Sequence, residues 1–154
     1  MLSVLRQSIV LLASADRAWS LIADPIQQAE WNPHIVSIDR DRAGPAILGE
    51  QFATLYQLNG RESESHVEVT KCDPLREIVF RHRTSWKNSD SIVEEAFLIS
   101  EFGDGVRVVQ TIDLSLAGIL WPVRACIWLV NRIGWSAEEP QLHRLKRLAE
   151  TAMT

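Results

Sequence analysis

The sequence predicts an α+β fold in which a curved antiparallel sheet of about seven strands wraps around a long C-terminal helix. Three observations lead to this prediction. Alternating apolar and polar residues recur between residues 34 and 114, in segments separated by turn sequences. A short helical patch stands between this region and a first strand near the N-terminus. Residues 117 to 154 carry helical signals instead.

The N-terminal region predicts one strand followed by two short helices. Residues 3–13 form the first predicted strand, and Ser14 then stands where a helix N-cap would. Asp24-Pro25 ends the helix that follows, because the residue before a proline is disfavoured in helical angles. Residues 26–31 predict a second short helix, which Asn32-Pro33 ends in turn.

Six further strands follow, and the turns between them are marked by short polar sequences. Asn59-Gly60 is the strongest of these signals, because a type I′ turn needs positive φ at both central positions. Asp73-Pro74, Asn88-Ser89-Asp90 and Gly103-Asp104-Gly105 mark three other turns. The predicted strands are residues 34–40, 51–58, 61–71, 76–86, 91–102 and 106–114. Consecutive hairpins of this kind make a twisted antiparallel sheet with one face turned inward.

The C-terminal segment carries two different helical patterns. From Ile119 to Val130 only Pro122 and Arg124 are not apolar, so this part must be covered on most sides. After Gly134 an apolar stripe follows at spacings of three and four, formed by Leu142, Leu145, Leu148, Ala149 and Ala152. Residues 136–139 match a capping box. One continuous helix and a pair of helices divided near Gly134 both remain open.

Composition excludes several classes of protein. A chain of 154 residues can bury a sizeable core, and we expect one domain over residues 1–154. The formal net charge of −4 argues against a nucleic-acid-binding surface. Cys72 and Cys126 lie far apart, which predicts free thiols in a reducing compartment, and the N-terminus lacks a signal-peptide pattern. We therefore expect a cytoplasmic location. The apolar run is also shorter than the ~20 residues that a stable membrane span requires.

Three local motifs, in order, resemble one superfamily. Residues 16–19 are similar to its opening motif after strand one, Trp31-Asn32-Pro33 matches its W-N-P motif, and residues 103–108 are similar to its G-x-G-T-R-V hairpin. Together with the order of elements, they resemble the helix-grip fold of the START/Bet v 1-like (SRPBCC) superfamily, and its polyketide cyclase/dehydrase branch in particular. The resemblance covers nearly the whole chain.

The resemblance implies a cavity between the sheet and the C-terminal helix that holds a small hydrophobic or amphipathic ligand. Members of the superfamily act as lipid carriers, polyketide cyclases, hormone receptors and chaperone cofactors, so the function has to be argued from the site.

Four polar side chains share the predicted inward face of the sheet with apolar ones: Tyr56, His82, Glu95 and Gln110. His82 and Glu95 lie on adjacent strands, and a carboxylate beside an imidazole is a plausible acid/base pair near neutral pH. Such a pair would remove a proton next to a carbonyl and return one to a departing hydroxyl, while Tyr56 donates to the enolate oxygen. A structural hydrogen bond is the alternative, and a one-residue register error would turn both groups outward.

Large aromatic side chains supply the other candidate ligand contacts. Trp31, Trp86 and Trp128 offer flat surfaces on which a ligand could stack, and core packing is the alternative for each. We expect Arg81 and Arg83 on the outer face of the sheet, as solvated charges. No metal spacing links the remaining histidines, and neither a phosphate-binding glycine loop nor a G-x-S-x-G motif is present, so we expect neither metal nor cofactor.

Three hypotheses follow. The first is a non-catalytic binding protein for a lipid-like or aromatic molecule. The second is a polyketide cyclase or dehydratase that uses His82 and Glu95 as acid and base. The third is a protein-interaction module, similar to chaperone-activating relatives, in which the cavity is vestigial. A cavity lined only by carbon favours the first, and an inward His82–Glu95 pair facing open volume favours the second. A filled core with an exposed apolar patch favours the third. The oligomeric state is open.

Overall fold

Strands β1 and β2 lie at opposite edges of one sheet, and two short helices carry the chain between them. The structure is a computed structural model that describes residues 4–58, 60–86, 89–115 and 141–151. Its elements are β1 (Val4–Leu11), α1 (Ala15–Ile22), α2 (Pro25–Trp31), β2 (Ile35–Asp39), β3 (Gln51–Leu58), β4 (Arg61–Asp73), β5 (Glu77–Trp86), β6 (Ser89–Phe102), β7 (Gly105–Asp113) and α3 (Gln141–Thr151).

All seven strands form one antiparallel sheet in the order β1-β7-β6-β5-β4-β3-β2. From β2 to β7 each strand pairs with the next along the chain, as the turn signals predict. The first strand then pairs with the last, with Leu5 opposite Ile112. Gly60 and Gly103 have φ of 76° and 55°, the positive values that their turns require. The predicted α+β helix-grip fold with a curved sheet is confirmed.

Capping side chains define the two short helices. The Ser14 hydroxyl accepts a hydrogen bond from the backbone N–H of Arg17 at 3.1 Å, which confirms the predicted N-cap of α1. Asp24 caps α2 through the N–H of Ile26 at 3.0 Å. Helix α2 begins at Pro25 and not at residue 26, because proline is well suited to the first helical position and has no N–H to leave unpaired.

Strand β6 begins at Ser89, which corrects the predicted turn. Ser89 and Asp90 pair with Trp86 and Ser85, so the turn is shorter than the predicted Asn88-Ser89-Asp90. The sequence assigned these residues to a turn because Ser and Asp have low strand propensity, whereas pairing along a long hairpin decides their conformation.

The core lies between the sheet and the helices, at one end of the inner face. Trp31 contacts Phe97 edge to face with ring centroids 6.0 Å apart, and Phe80 lies beside Phe97 at 6.3 Å. Helix α3 buries Leu142, Leu145 and Ala149 against this cluster, with Leu148 partly buried, and this confirms the predicted stripe over these four residues, whereas Ala152 lies outside the described residues. The predicted apolar run at residues 119–130, the capping box at 136–139 and Gly134 lie outside the described residues.

A buried ion-pair network fixes the loop between β2 and β3. Arg40 donates to both carboxylate oxygens of Glu50, at 2.6 and 3.1 Å, and to Asp24 at 3.1 Å. It also donates to the carbonyl of Gly44 at 2.7 Å, and the N–H of Gly44 donates to Asp24. We call Arg40, Asp24 and Glu50 the Arg40 clamp. It joins the start of α2 to the loop that leads into β3.

Candidate functional site

A cavity of about 260 Å³ opens on the inner face of the sheet, at the end away from the aromatic core. Nine of its eleven described lining residues carry a polar side chain: Asn32, His34, Tyr56, Ser63, Ser65, His82, Thr84, Glu95 and Gln141, with Val93 and Ile112 as the apolar pair. The Tyr56 ring and the Thr84 methyl add carbon surface, so the described wall is amphipathic.

The strand sequences explain why the inner face divides into two ends. Along β4 the inward positions change from Ser63 and Ser65 to Val67 and Val69, and both valines are fully buried. Along β5 they change from Phe80 to His82 and Thr84. Apolar positions lie under the helices and form the core, whereas the polar positions next to them line the cavity.

Four side chains from four strands form a hydrogen-bonded row that starts at the cavity. The Tyr56 hydroxyl lies 3.3 Å from His82 Nδ1, and His82 Nε2 lies 3.4 Å from Glu95 Oε1. Gln110 Nε2 donates to Glu95 Oε2 at 2.7 Å. We call these four residues the polar row. Its two contacts at His82 are long for hydrogen bonds.

The register of the sheet brings this row together. His82 lies opposite Val93, and Glu95 lies opposite Phe80, so His82 and Glu95 are diagonal neighbours on adjacent strands. Tyr56 lies on β3, two strands away from His82, and the small Ser65 of β4 is the inward residue between them. The Tyr56 and His82 rings meet at 66° with centroids 5.8 Å apart.

The hydrogen bonds of the row fit one proton arrangement. Glu95 accepts from Gln110, and it can accept from His82 only if Nε2 carries a proton. In neutral His82 the other nitrogen, Nδ1, is then an acceptor for the Tyr56 hydroxyl. Burial, followed by the negative charge of Glu95, raises the pKa of Tyr56, so this phenol stays protonated and acts as a donor.

The predicted site residues divide into two groups. Tyr56, His82 and Glu95 line the cavity, and Gln110 lies behind Glu95 with only 3% of its surface exposed. Trp31 is not on the described cavity wall. It is 1% exposed in the core, and its Nε1 donates to the Leu21 carbonyl, so core packing fits its position. The side chain of Trp86 and all of Trp128 lie outside the described residues.

The sequence did not single out several residues of the cavity wall. Ser63 and Ser65 share strand parity with Val67 and Val69, so their inward direction was detectable. Thr84 shares strand parity with His82 on β5, so its inward direction was detectable in the same way. Asn32 and His34 reach the cavity through the turn after α2, where Asn32 Oδ1 accepts the N–H of His34 at 3.0 Å. An irregular turn of this kind has no periodic pattern in the sequence from which its path could be predicted.

The outer face of the sheet carries the predicted charges. Arg81 donates to Glu94 at 2.7 Å, and Arg81 and Arg83 border a pocket of about 230 Å³ with His66 on that face. Among the described residues, no group of three His, Cys, Asp or Glu side chains is placed to hold a metal ion. The helices within the described ranges include none that is long and apolar enough to span a membrane.

Comparisons with known structures confirm the fold. Protein CV1439 from Chromobacterium violaceum has a TM-score of 0.71 and 15% identity, over 97% of this chain and 99% of that protein. Major latex-like protein 151 from Panax ginseng has a TM-score of 0.64 and 11% identity, over 95% and 96%. DynU16, a protein in the dynemicin biosynthetic locus, has a TM-score of 0.65 and 17% identity, over 97% of this chain and 48% of DynU16.

Sequence comparison identifies the family. A search of curated proteins finds no significant match. The family described as polyketide cyclase/dehydrase and lipid transport matches residues 4–150, which is nearly the whole chain. The order of strands and helices and the cavity on the inner sheet face agree with this match. The chain therefore belongs to the polyketide cyclase/dehydrase and lipid transport family.

Proposed function

We propose that this protein binds a small amphipathic molecule in the cavity on the inner face of the sheet. The observation that carries the proposal is the cavity of about 260 Å³, slightly below the ~300–1,000 Å³ typical of ligand pockets and large enough for a small molecule. Its described wall combines carbon surface with polar groups that converge on one space. The family match supports the same function.

Native mass spectrometry of the freshly purified protein tests this proposal. We expect an added mass that disappears on denaturation and identifies the class of ligand. Ser63→Phe should abolish it, because a large ring on the inner face of β4 would fill the cavity. Ser100→Phe is the matched control, since Ser100 is exposed on the outer face of β6. A bare mass that persists after exposure to lipids and aromatic polyketides would overturn the proposal.

The polar row favours a second candidate function, which is acid–base chemistry on the bound molecule. Both nitrogens of neutral His82 are engaged, by Tyr56 and Glu95. A ligand carbonyl that accepts a hydrogen bond from the Tyr56 hydroxyl would leave His82 Nδ1 without that partner. His82 would then take a proton from the carbon next to that carbonyl, with Glu95 stabilising the imidazolium.

Dehydration completes this scheme without any other reactant. The imidazolium returns its proton to a hydroxyl on the next carbon, the carbon–oxygen bond breaks, and water leaves. Tyr56 ends the cycle as the phenol with which it began. This is the chemistry of a dehydratase, and in a cyclase it is the dehydration that follows ring closure, with His82 as the acid/base and Tyr56 as the oxyanion donor.

Turnover of the molecule identified by mass spectrometry tests the second candidate. Tyr56→Phe should keep the ring and the affinity while removing the donor, with a loss of about 100-fold or more in turnover. Wild-type protein that binds the molecule and never converts it would support the carrier function and contradict the cyclase.

Two further inferences complete the proposal. An open cavity with an inward polar row is the opposite of the filled core expected for a vestigial-cavity interaction module, so we place that hypothesis last.

Cys72 is a free thiol, which is consistent with the cytoplasmic location inferred from the sequence.

A further inference from the structure

The part of the cavity wall formed by β4 and β5 carries three hydroxyl groups. Ser63 and Ser65 occupy successive inward positions on β4, and Thr84 lies opposite Ser65 on β5. All three line the cavity. We call them the hydroxyl wall. They lie beside the polar row, because Ser65 of β4 lies between Tyr56 on β3 and His82 on β5.

These hydroxyls make fewer hydrogen bonds than they can. Ser65 Oγ and Thr84 Oγ1 are 2.6 Å apart, so one proton lies between them. Each hydroxyl carries a proton, and the second proton of this pair has no partner within the described ranges. Ser63 likewise makes no hydrogen bond to another described side chain or backbone group. The hydroxyl wall therefore presents unused donors to the cavity.

Burial makes this incomplete bonding informative about the ligand. Ser65 is 4% exposed and its hydroxyl is bonded to Thr84, so the unused proton of this pair is on whichever hydroxyl accepts. A bound ligand would exclude water from that hydroxyl, and a hydroxyl that loses water without gaining a hydrogen bond is costly. A ligand oxygen placed over β4 and β5 would supply the bond. A hydrocarbon chain in the same place would exclude water from the hydroxyls without accepting a hydrogen bond from them.

The charged groups on the cavity wall narrow the class of ligand further. The described lining residues include no Lys or Arg, and they do include Glu95. A carboxylate or phosphate group in this part of the cavity would lose its water and face the like charge of Glu95, and the imidazoles of His34 and His82 would be the sole described lining groups able to carry a positive charge. An ionised fatty acid is therefore a poor fit to the described wall, whereas neutral carbonyl and phenol groups are a good one.

We propose that the hydroxyl wall is a binding subsite for a carbonyl or phenolic oxygen of a neutral ligand, and that Ser65 and Thr84 determine specificity for oxygenated over hydrocarbon ligands. The inference rests on the proposed ligand-binding function and deepens it. The ligand would be held at two points, with one oxygen at the hydroxyl wall and another at Tyr56.

Calorimetric titration with a matched pair of probes tests this subsite. A naphthalenediol and the dimethylnaphthalene with methyl groups at the same positions have nearly equal size and differ in hydrogen bonding. The wild-type preference for the diol is compared with that of a Ser65→Ala, Thr84→Val double variant, which keeps side-chain shape. Thr111→Val on the outer face of β7 is the control, and circular dichroism verifies the fold of each.

We expect the preference for the diol to fall by about tenfold in the double variant and to be unchanged in the control. An unchanged preference in the double variant would overturn the subsite while leaving ligand binding intact. Palmitate that binds the wild-type protein more tightly than the diol in the same titration would overturn the neutral-ligand assignment. Failure of the wild-type protein to bind either probe would overturn the ligand-binding proposal together with this inference.

Discussion

The Arg40 clamp and the polar row are two clusters of polar side chains with similar burial and different degrees of completion. In the clamp the side-chain exposures of Arg40, Asp24 and Glu50 are 2%, 9% and 11%. In the row those of His82 and Glu95 are 13% and 14%. The clamp's bonds from Arg40 to the two carboxylates measure 2.6 to 3.1 Å, whereas the contacts of His82 measure 3.3 and 3.4 Å.

The difference lies in what each cluster faces. The clamp is surrounded by its own loop, and the backbone of Gly44 adds bonds to both sides of it. The polar row faces open volume, where Tyr56 and His82 can exchange partners with a ligand. Burial alone therefore does not separate the clamp from the polar row, whereas bond lengths and adjacent space do.

The largest effect on stability should come from breaking the clamp. Arg40→Met leaves buried Asp24 without its cation and Glu50 with only the more exposed Arg42, and we expect the free energy of unfolding to fall by about 3–5 kcal/mol. Urea unfolding measures it. Arg42→Met is the control, because Arg42 also contacts Glu50 but is 45% exposed, and it should cost less than about 1 kcal/mol. Equal losses in the two variants would remove the distinction between the buried and exposed cations.

The polar row should show the opposite behaviour. His82→Ala should lower turnover by about 100-fold or more if the row is catalytic, and it should change the free energy of unfolding by no more than about 1 kcal/mol, since His82 borders open space. Steady-state kinetics and urea unfolding measure the two quantities. His66→Ala, on the outer face of β4, should change neither. A large loss of stability in His82→Ala with unchanged turnover would make the row structural.

Gln110 is buried like the residues of the Arg40 clamp, but it belongs to the polar row, where it donates a hydrogen bond to the Glu95 carboxylate. Gln110→Leu removes the donor to Glu95 Oε2, and we expect a loss of about 1–2 kcal/mol in the free energy of unfolding. This is less than for Arg40→Met, since cavity water can still reach Glu95. Urea unfolding beside Thr111→Val checks it, and a loss as large as that of Arg40→Met would contradict the comparison.

The smallest effect is a dependence on pH. Burial opposes ionisation of Glu50, but the hydrogen bonds from Arg40 and Ile47 and the nearby arginine charges outweigh it and lower its pKa below the usual 4.5. A lowered pKa in the folded state contributes stability above the unfolded pKa, and this contribution is lost as the pH falls through the folded value. Glu50→Gln should therefore flatten the decline in stability between neutral pH and about pH 3. Exposed Glu62→Gln should leave that decline unchanged.

Alternation and turn sequences predicted the strands, their order and their inward faces, because both signals are local. His82 and Glu95 were expected on one face for that reason, and the structure places them there. The diagonal offset between them depends on the register of β5 and β6, which alternation alone does not fix.

Packing between distant segments explains what the sequence did not predict. Trp31 and the catalytic candidates all look like inward residues, and only the helix positions decide that Trp31 lies in the core. Arg40 appeared as an ordinary strand-end charge, and its burial depends on Asp24 and Glu50 meeting it from two other segments. The hydroxyl wall was detectable from strand parity, but its open bonds are a property of the folded cavity.

The most direct test of the central claim is nuclear magnetic resonance of the histidine ring nitrogens during titration with the naphthalenediol probe. The chain has four histidines, and His82→Ala identifies the His82 signals by their loss. We predict that bound probe shifts His82 Nδ1 most, because the probe takes the Tyr56 hydroxyl away from it, while His66 and His143 stay unchanged. Saturating binding with no change at His82 would contradict the claim that the polar row contacts the ligand.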